Sequence, residues 1–255
     1  MSTSAHDRTV LDQFTKQAVP FATAPIHQTG LDLIFSAARL TKADHVLDVA
    51  CGPGIVGCAA APHVRRVTGI DMTPRMIEEA TATADRIDVN NATWLVGTAT
   101  PLPFADASFE IVLTRYSFHH FDNPAAALAE MFRVCRSGGR VVVADLSIPA
   151  PQGYSFDTVE RWRDPSHVHA LSPDELRQLF SVHTMSEFEE AEFGLDLELE
   201  PQLARSFPVE GGEGKIRRAY ADSVADDTLG IRTRVVNGSI WSTWPVRVMA
   251  ATKGS

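Results

Sequence analysis

The chain of 255 residues is 44% hydrophobic and 22% charged, a near-average globular composition with enough apolar material for one large core and a modest appendage. A formal net charge of −9 opposes polyanions, and the densest basic spots, Arg133-Val-Cys-Arg136 and Lys215-Ile-Arg-Arg218, are short, which argues against nucleic acid as a partner. No run approaches the roughly 18 uninterrupted apolar residues of a membrane span.

The opening MSTSAHDRTV is polar and lacks the apolar block of a secretory signal, so a cytoplasmic protein is expected, monomeric or homodimeric. An amphipathic stretch carrying Phe14, Phe21 and His27 follows, and residues 1–40 read as a helical lid segment. His45 to Ala50 is a short apolar run that ends in Cys51-Gly-Pro-Gly54 and gives way to a small-residue helix, Ile55 to His63. Arg66 to Asp71 reads as a second strand, Pro74 to Arg86 as a helix, Thr93 to Val96 as a third strand and Phe109 to Thr114 as a fourth, apolar on both faces. The next helix is marked by Asn123 as cap, Pro124 at the first position and Gly138-Gly139 as stop. Arg140 to Leu146 is a β-branched fifth strand.

Strands alternating with helices predict an α/β, doubly wound, mostly parallel sheet. Residues 41–150 form the ligand-binding core of this reading. Beyond residue 150 the pattern loosens: 154–164, 172–181 and 213–227 read as helices, 187–200 as a strand, and Trp244 to Thr252 as a last strand beside the fifth. Residues 151–255 are therefore expected to supply lid helices and the strands that complete one structural domain. Cys51, Cys58 and Cys135 are odd in number and form no C-x-x-C pair, so reduced, buried thiols are expected rather than disulfides or a metal site.

In such sheets a ligand sits beyond the carboxyl ends of the strands, where strand order reverses. The loop there is Asp48-Val-Ala-Cys-Gly-Pro-Gly54, whose glycines permit a tight turn and close approach of a ligand to the backbone. Asp71 ends the second strand 19 residues after Gly52, where a carboxylate can accept both hydroxyls of a ribose. Gly52-Pro-Gly54-Ile-Val-Gly57 also matches the dinucleotide fingerprint, so a nicotinamide-dependent oxidoreductase is the competing reading. Asp48 would repel phosphates but receive an ammonium, and Pro53 removes an N–H that phosphate would use. Both favour an amino-acid-bearing sulfonium. The plainer role for Asp48 is to cap the turn.

VLDVACGPG, VTGIDMTPRMIEEA, LPFADASFEIVLTRYSFHHF and RVCRSGGRVVVADL, in that order over residues 11–147, resemble the class I S-adenosylmethionine-dependent methyltransferases, in particular the ubiquinone/menaquinone-biosynthesis type of small-molecule enzyme. The resemblance implies a Rossmann-like, seven-stranded fold with an α-rich lid, and S-adenosyl-L-methionine as cofactor. It implies that Asp48, Ala50, Gly52 and Gly54 meet the methionine part, Asp71 the ribose and Met72 the adenine face, with Arg115 also at the cofactor. Gly97-Thr98-Ala99 stands where many relatives have Gly-Asp-Ala, so the adenine contact passes to Thr98 or a backbone carbonyl near Ala99. Ala50 replaces a common glycine.

Methyl transfer from a sulfonium is an in-line displacement, and alignment alone supplies roughly 7–11 kcal/mol, so no metal is needed. A base is required only for an acceptor that loses a proton. His119 and His120, leaving the fourth strand, are the candidates, with His167 in Arg161-Trp-Arg-Asp-Pro-Ser-His-Val-His169 as a third. Each could instead pack as a structural imidazole. Phe21, Tyr154, Trp162, Arg163 and Trp241 are the expected acceptor-binding residues, and an aromatic enclosure suits a phenolic, quinone-like, polyketide or terpenoid acceptor. A cyclase that binds the sulfonium without transferring its methyl group is the second alternative.

Overall fold

The computed structural model describes residues 4–23 and 28–255. His27 lies outside the described residues. The elements run α1 (Ala5–Thr23), α2 (Leu31–Ala38), β1 (His45–Val49), α3 (Ile55–Ala60), β2 (Arg66–Asp71), α4 (Pro74–Arg86), β3 (Ala92–Val96), β4 (Phe109–Arg115), α5 (Pro124–Val134) and β5 (Cys135–Leu146). Then come α6 (Ala150–Arg163), α7 (Pro173–Ser181), β6 (Met185–Glu198), α8 (Leu199–Ala204), α9 (Gly212–Asp226), β7 (Arg234–Val236) and β8 (Ser239–Lys253).

The strands form one sheet in the order β3-β2-β1-β4-β5-β8-β6, with β7 paired to β8. β1 to β5 are parallel, and β8 enters antiparallel beside β5 with β6 antiparallel beyond it. Strand order reverses at β1, between β2 and β4, which places the expected cleft at the carboxyl ends of β1 and β4.

Successive strand residues point to opposite faces, and both faces are covered. Leu47, Val112, Val141 and Val143 pack under α5 and α7, against Met131, Phe132 and Phe180. Their neighbours Val46, Ile111, Leu113 and Val142 pack on the other side against Ile34 of α2 and Val56 and Ala60 of α3. This two-sided burial is why the strands read as continuous apolar runs rather than alternating ones. A third core joins the ends of β5, β6 and β8 to α6, α8 and α9 through Leu146, Phe156, Leu197, Leu203, Tyr220 and Trp244. Among the described residues no helix is long and apolar enough to cross a membrane, and the three cysteines are free and buried.

The local structure departs from expectation at three points. The helix after Asn123 ends at Val134, before the glycine pair, because Cys135 already pairs with Phe109 in the sheet. Gly139 serves a close approach instead: a Cβ there would lie 2.5 Å from the Glu110 carbonyl. The strand expected to reach residue 200 stops at Glu198, and α8 begins with Pro201 in its first turn and Leu199, Gln202 and Leu203 buried at helical spacing. β7 went unrecognised although Asn237-Gly238 carries the positive φ values, 51° and 83°, of a tight hairpin turn.

One aromatic ring governs the seam between β2, α3 and β3. The Trp94 indole lies over Gly69, its partner across the β2–β3 pair, and against Gly54 and Gly57 at the start of α3. A Cβ would come within 2.4 Å of the ring at Gly69, 2.8 Å at Gly57 and 3.0 Å at Gly54. The third glycine of the fingerprint-like string thus makes room for Trp94 rather than for a ligand. Gly69→Ala should lower the unfolding free energy in urea denaturation by about 1–3 kcal/mol. A Trp94→Leu background should absorb part of that loss, and additive effects in the double mutant would refute this packing account.

Candidate active site

The chain leaving β1 alternates into the left-handed region at Ala50 (φ 54°), Gly52 (φ 51°) and Gly54 (φ 75°), which turns it sharply into α3. Glycine adopts this conformation freely, whereas Ala50 holds it at a steric cost of about 1–2 kcal/mol. The turn is fixed from β2: Cys51 N–H donates to the Ile70 carbonyl at 3.0 Å and Gly52 N–H to Asp71 Oδ2 at 2.9 Å. Asp71 Oδ1 accepts the Thr73 N–H at 2.8 Å, and burial raises this carboxyl above its usual range. Asp48 accepts the Gly57 N–H at 3.0 Å, so it does cap the turn, yet it also faces the cavity. Burial pushes its carboxyl up to about 7, against the lowering influence of Arg115 and the Gly57 N–H. A buried carboxylate so poorly compensated fits an incoming cation such as an ammonium.

A cavity of about 370 Å³ opens over this loop, within the size range of small-ligand sites. Asp48, Ala50, Gly52, Asp71, Met72, Thr98, Ala99 and Arg115 line it; Gly54 does not, being turned towards Ala80 and Trp94. The Thr98 hydroxyl gives its hydrogen to the Thr100 carbonyl at 3.2 Å, leaving its oxygen as an acceptor. From the opposite side α1 covers the opening with Val10, Phe14 and Phe21. Gln13 and Gln17 strap α1 down, through Nε2 bonds of 2.7 Å to the Ser206 carbonyl and 3.0 Å to Asp164 Oδ2.

The loop leaving β4 is held by a residue that sequence reasoning missed. Asp145, near the end of β5 and 1% exposed, accepts N–H bonds from Ser117 at 2.9 Å and Phe118 at 2.5 Å, and binds His119 Nδ1 at 2.5 Å. A lone acid within the apolar run RVVVADL was the available signal. Burial disfavours charge on His119, but Asp145 outweighs it and raises the imidazole above its ordinary value. His120 is held differently. Its Nδ1 lies 3.1 Å from both the Ser166 carbonyl and Ser166 Oγ, and that hydroxyl donates to Asp164 Oδ1 at 2.5 Å. Both Ser166 oxygens are thus acceptors towards the ring, so Nδ1 carries the hydrogen and Nε2 is the basic nitrogen. Burial and the neighbouring His119 push His120 well below its ordinary value, towards the neutral form.

A second cavity of about 90 Å³ lies beside the first, and Phe14, Phe21, Tyr116 and His120 belong to both walls. His119 and Arg163 line the second. The structure does not bring the remaining nominees there. His167 lines neither cavity; its Nε2 bonds Asp157 Oδ1 at 2.7 Å, and its ring packs near Phe156. Tyr154 is 83% exposed because α6 turns Gly153, Phe156, Asp157, Val159 and Glu160 inward. Trp162 packs under Lys215 of α9, and Trp241 sits in the β6–β8–β7 ladder opposite Glu198 and Arg234.

Residues 47–143 match the model of a methyltransferase domain family. An uncharacterized methyltransferase of Bacillus subtilis, YcgJ, is 31% identical over 198 residues, which cover 75% of this chain and 78% of that protein. Its crystal structure has a TM-score of 0.82 at 26% identity and covers 90% of this chain and 100% of that one. A demethylmenaquinone methyltransferase of Porphyromonas gingivalis is 36% identical over 120 residues, 44% of this chain and 49% of that protein. The 27-O-demethylrifamycin SV methyltransferase of Amycolatopsis mediterranei is 35% identical over 137 residues, 52% of this chain and 50% of that protein. The match thus spans about half the length of these last two. With a doubly wound sheet, a ligand cavity at its switch point and relatives of this kind, the chain belongs to the class I S-adenosylmethionine-dependent methyltransferases.

Proposed function

We propose that this enzyme methylates a small, largely apolar molecule at a hydroxyl group, with His120 as the general base. The observation that carries this reading is the His120 ring, fixed through Nδ1 by Ser166 in the wall shared by the two cavities, where burial favours its neutral form. Relatives named for demethylmenaquinone and a demethylated rifamycin support the substrate class.

When bound, the cofactor supplies a methyl group already activated on a cationic sulfur. Asp48 would meet its ammonium, with Arg115 and the backbone around Ala50 and Gly52, which line the same cavity, beside its amino-acid part. Asp71, aimed by the Gly52 and Thr73 N–H groups, keeps lone pairs that would serve the ribose hydroxyls. Met72 would flank the adenine, with Thr98 and the backbone at Ala99 at its edge. Phe21 covers the acceptor. His120 Nε2 would take the acceptor's hydroxyl proton, and the bound cofactor would supply the methyl group and, as it becomes the thioether, accept the bonding pair on its sulfur. α1 and the helices beyond residue 150 together exclude water.

Asp71→Ala should abolish binding of S-adenosylhomocysteine in calorimetric titration and, by leaving the Gly52 and Thr73 N–H groups without their acceptor, lower the thermal midpoint of the ligand-free protein by several degrees. Retained affinity would remove Asp71 from the site. Because Asp48 titrates at about 7 and must be ionised to receive the ammonium, affinity should fall by up to about tenfold per pH unit below 7 and level off above it. Asp48→Asn should flatten that profile.

The activity itself is tested with methyl-labelled cofactor and a panel of phenols and hydroquinones. Label should move to the acceptor, and His120→Ala should slow the step by about 10² to 10⁴-fold at saturating cofactor. A pKa pushed below its ordinary value leaves His120 unprotonated on the acid side of neutrality, so kcat should hold from pH 8 down to about 6. An acid limb near 6.5 that vanishes in His120→Ala would contradict the assigned state, and product without label would contradict methyl transfer.

A further inference from the structure

The second cavity has a cation that, among the described residues, no carboxylate neutralises. Its walls are apolar at Phe14, Phe21, Leu146, Leu195, Leu197 and Trp244, yet two arginines reach it, Arg163 and Arg205. Arg163 is fully engaged: its Nε and Nη2 bind Glu160 and its Nη1 donates to Ser206 Oγ at 2.7 Å. Arg205 donates from Nη1 to the Pro201 carbonyl at 3.1 Å and, among the described residues, has no carboxylate within ion-pair distance. The nearby carboxylate of Asp164 is already met by Ser166 Oγ–H, Ser166 N–H and Gln17 Nε2.

Two further polar groups face the same space without partners. The Tyr116 hydroxyl and Gln202 Oε1 are buried atoms with no hydrogen-bond partner among the described residues, and Gln202 is only 4% exposed. Buried polar atoms left unpaired each cost about 1–3 kcal/mol; the Tyr116 hydroxyl is a donor that an anionic ligand end would satisfy, whereas Gln202 Oε1 is an acceptor and is not satisfied by such a group.

We propose that the acceptor carries a carboxylate, which Arg205 and the Tyr116 hydroxyl bind in the second cavity while the hydroxyl to be methylated lies beside His120. The proposal rests on the reading of this cavity as the acceptor site. A volume of about 90 Å³ is below the roughly 150 Å³ cavity that encloses benzene, so only one end of the molecule fits there. The rest passes Phe14, Phe21, Tyr116 and His120 into the main cavity. A monoanion is favoured over a phosphate because one guanidinium is available and Asp164 and Glu160 stand close by. Tyr116 remains a donor, since burial pushes its hydroxyl up to about 12.

The test uses the full chain saturated with S-adenosylhomocysteine, titrated with 4-hydroxybenzoate and 4-hydroxyphenylacetate and with their neutral amides. Each acid should bind about 10 to 100-fold more tightly than its amide. Arg205→Met should bring the ratio to about one, and Arg205→Lys should restore part of it. Both variants are to be checked for unchanged S-adenosylhomocysteine affinity, so that misfolding is not mistaken for lost recognition. Equal binding of acid and amide, weakened alike by Phe21→Ala, would overturn the carboxylate and leave the acceptor site standing. Binding of neither member would also overturn the proposal, and labelled-methyl transfer to neutral phenols then decides the site independently.

Discussion

A single buried carboxylate, Asp145, fixes the part of the molecule on which the acceptor side depends. It gathers the N–H groups of Ser117 and Phe118 and the ring of His119 at the end of β5, so the chain leaving β4 has one available path. Removing one partner of a buried pair of this kind costs about 3–5 kcal/mol, because the other charge is left unsolvated. The His119 carbonyl in turn accepts the Val168 N–H at 2.8 Å, which docks the segment after α6 onto the loop. Ser166 then stands against His120. The ring's orientation is thus a downstream consequence of a carboxylate it does not touch.

The same logic of satisfying buried polar groups joins the lid to the core. Gln17 of α1 completes Asp164, Asp164 holds Ser166, and Ser166 holds His120. His6 of α1 adds a bond from Nε2 to the His120 carbonyl at 2.7 Å. Any movement of α1 away from the opening therefore breaks bonds that set the histidine. The position of α1 and the setting of His120 are thus linked through hydrogen bonds.

On the cofactor side the constraint is steric. Three glycines yield to one indole, and the left-handed turn that results is tied to β2 by Asp71 and the Ile70 carbonyl. Ala50 shows how firmly the turn is held: it occupies a left-handed position that a glycine would fill without cost. Strain at such a loop is sustained only where the surrounding structure over-determines it.

Local chemistry made much of this visible in the sequence. The alternation of apolar runs and capped helices, the Asp48-to-Gly54 turn and Asp71 at a strand end are all decided within a few residues, by steric limits on φ, by capping and by two-sided burial. The Asn237-Gly238 turn and the start of α8 were equally legible but went unread. What the sequence could not decide was which titratable groups meet. His119 finds Asp145 across 26 residues and His120 finds Ser166 across 46, while His167 is drawn away to Asp157. Tyr154 and Trp241 looked like wall residues, and nothing local marked Arg205 as lining a cavity, because exposure follows from the face an element presents after packing. Spacing along the chain determined the fold and the glycine loop; only strand order and the docking of α1 and α6 decided which side chains line the two cavities, since those neighbours are made by burial at long range.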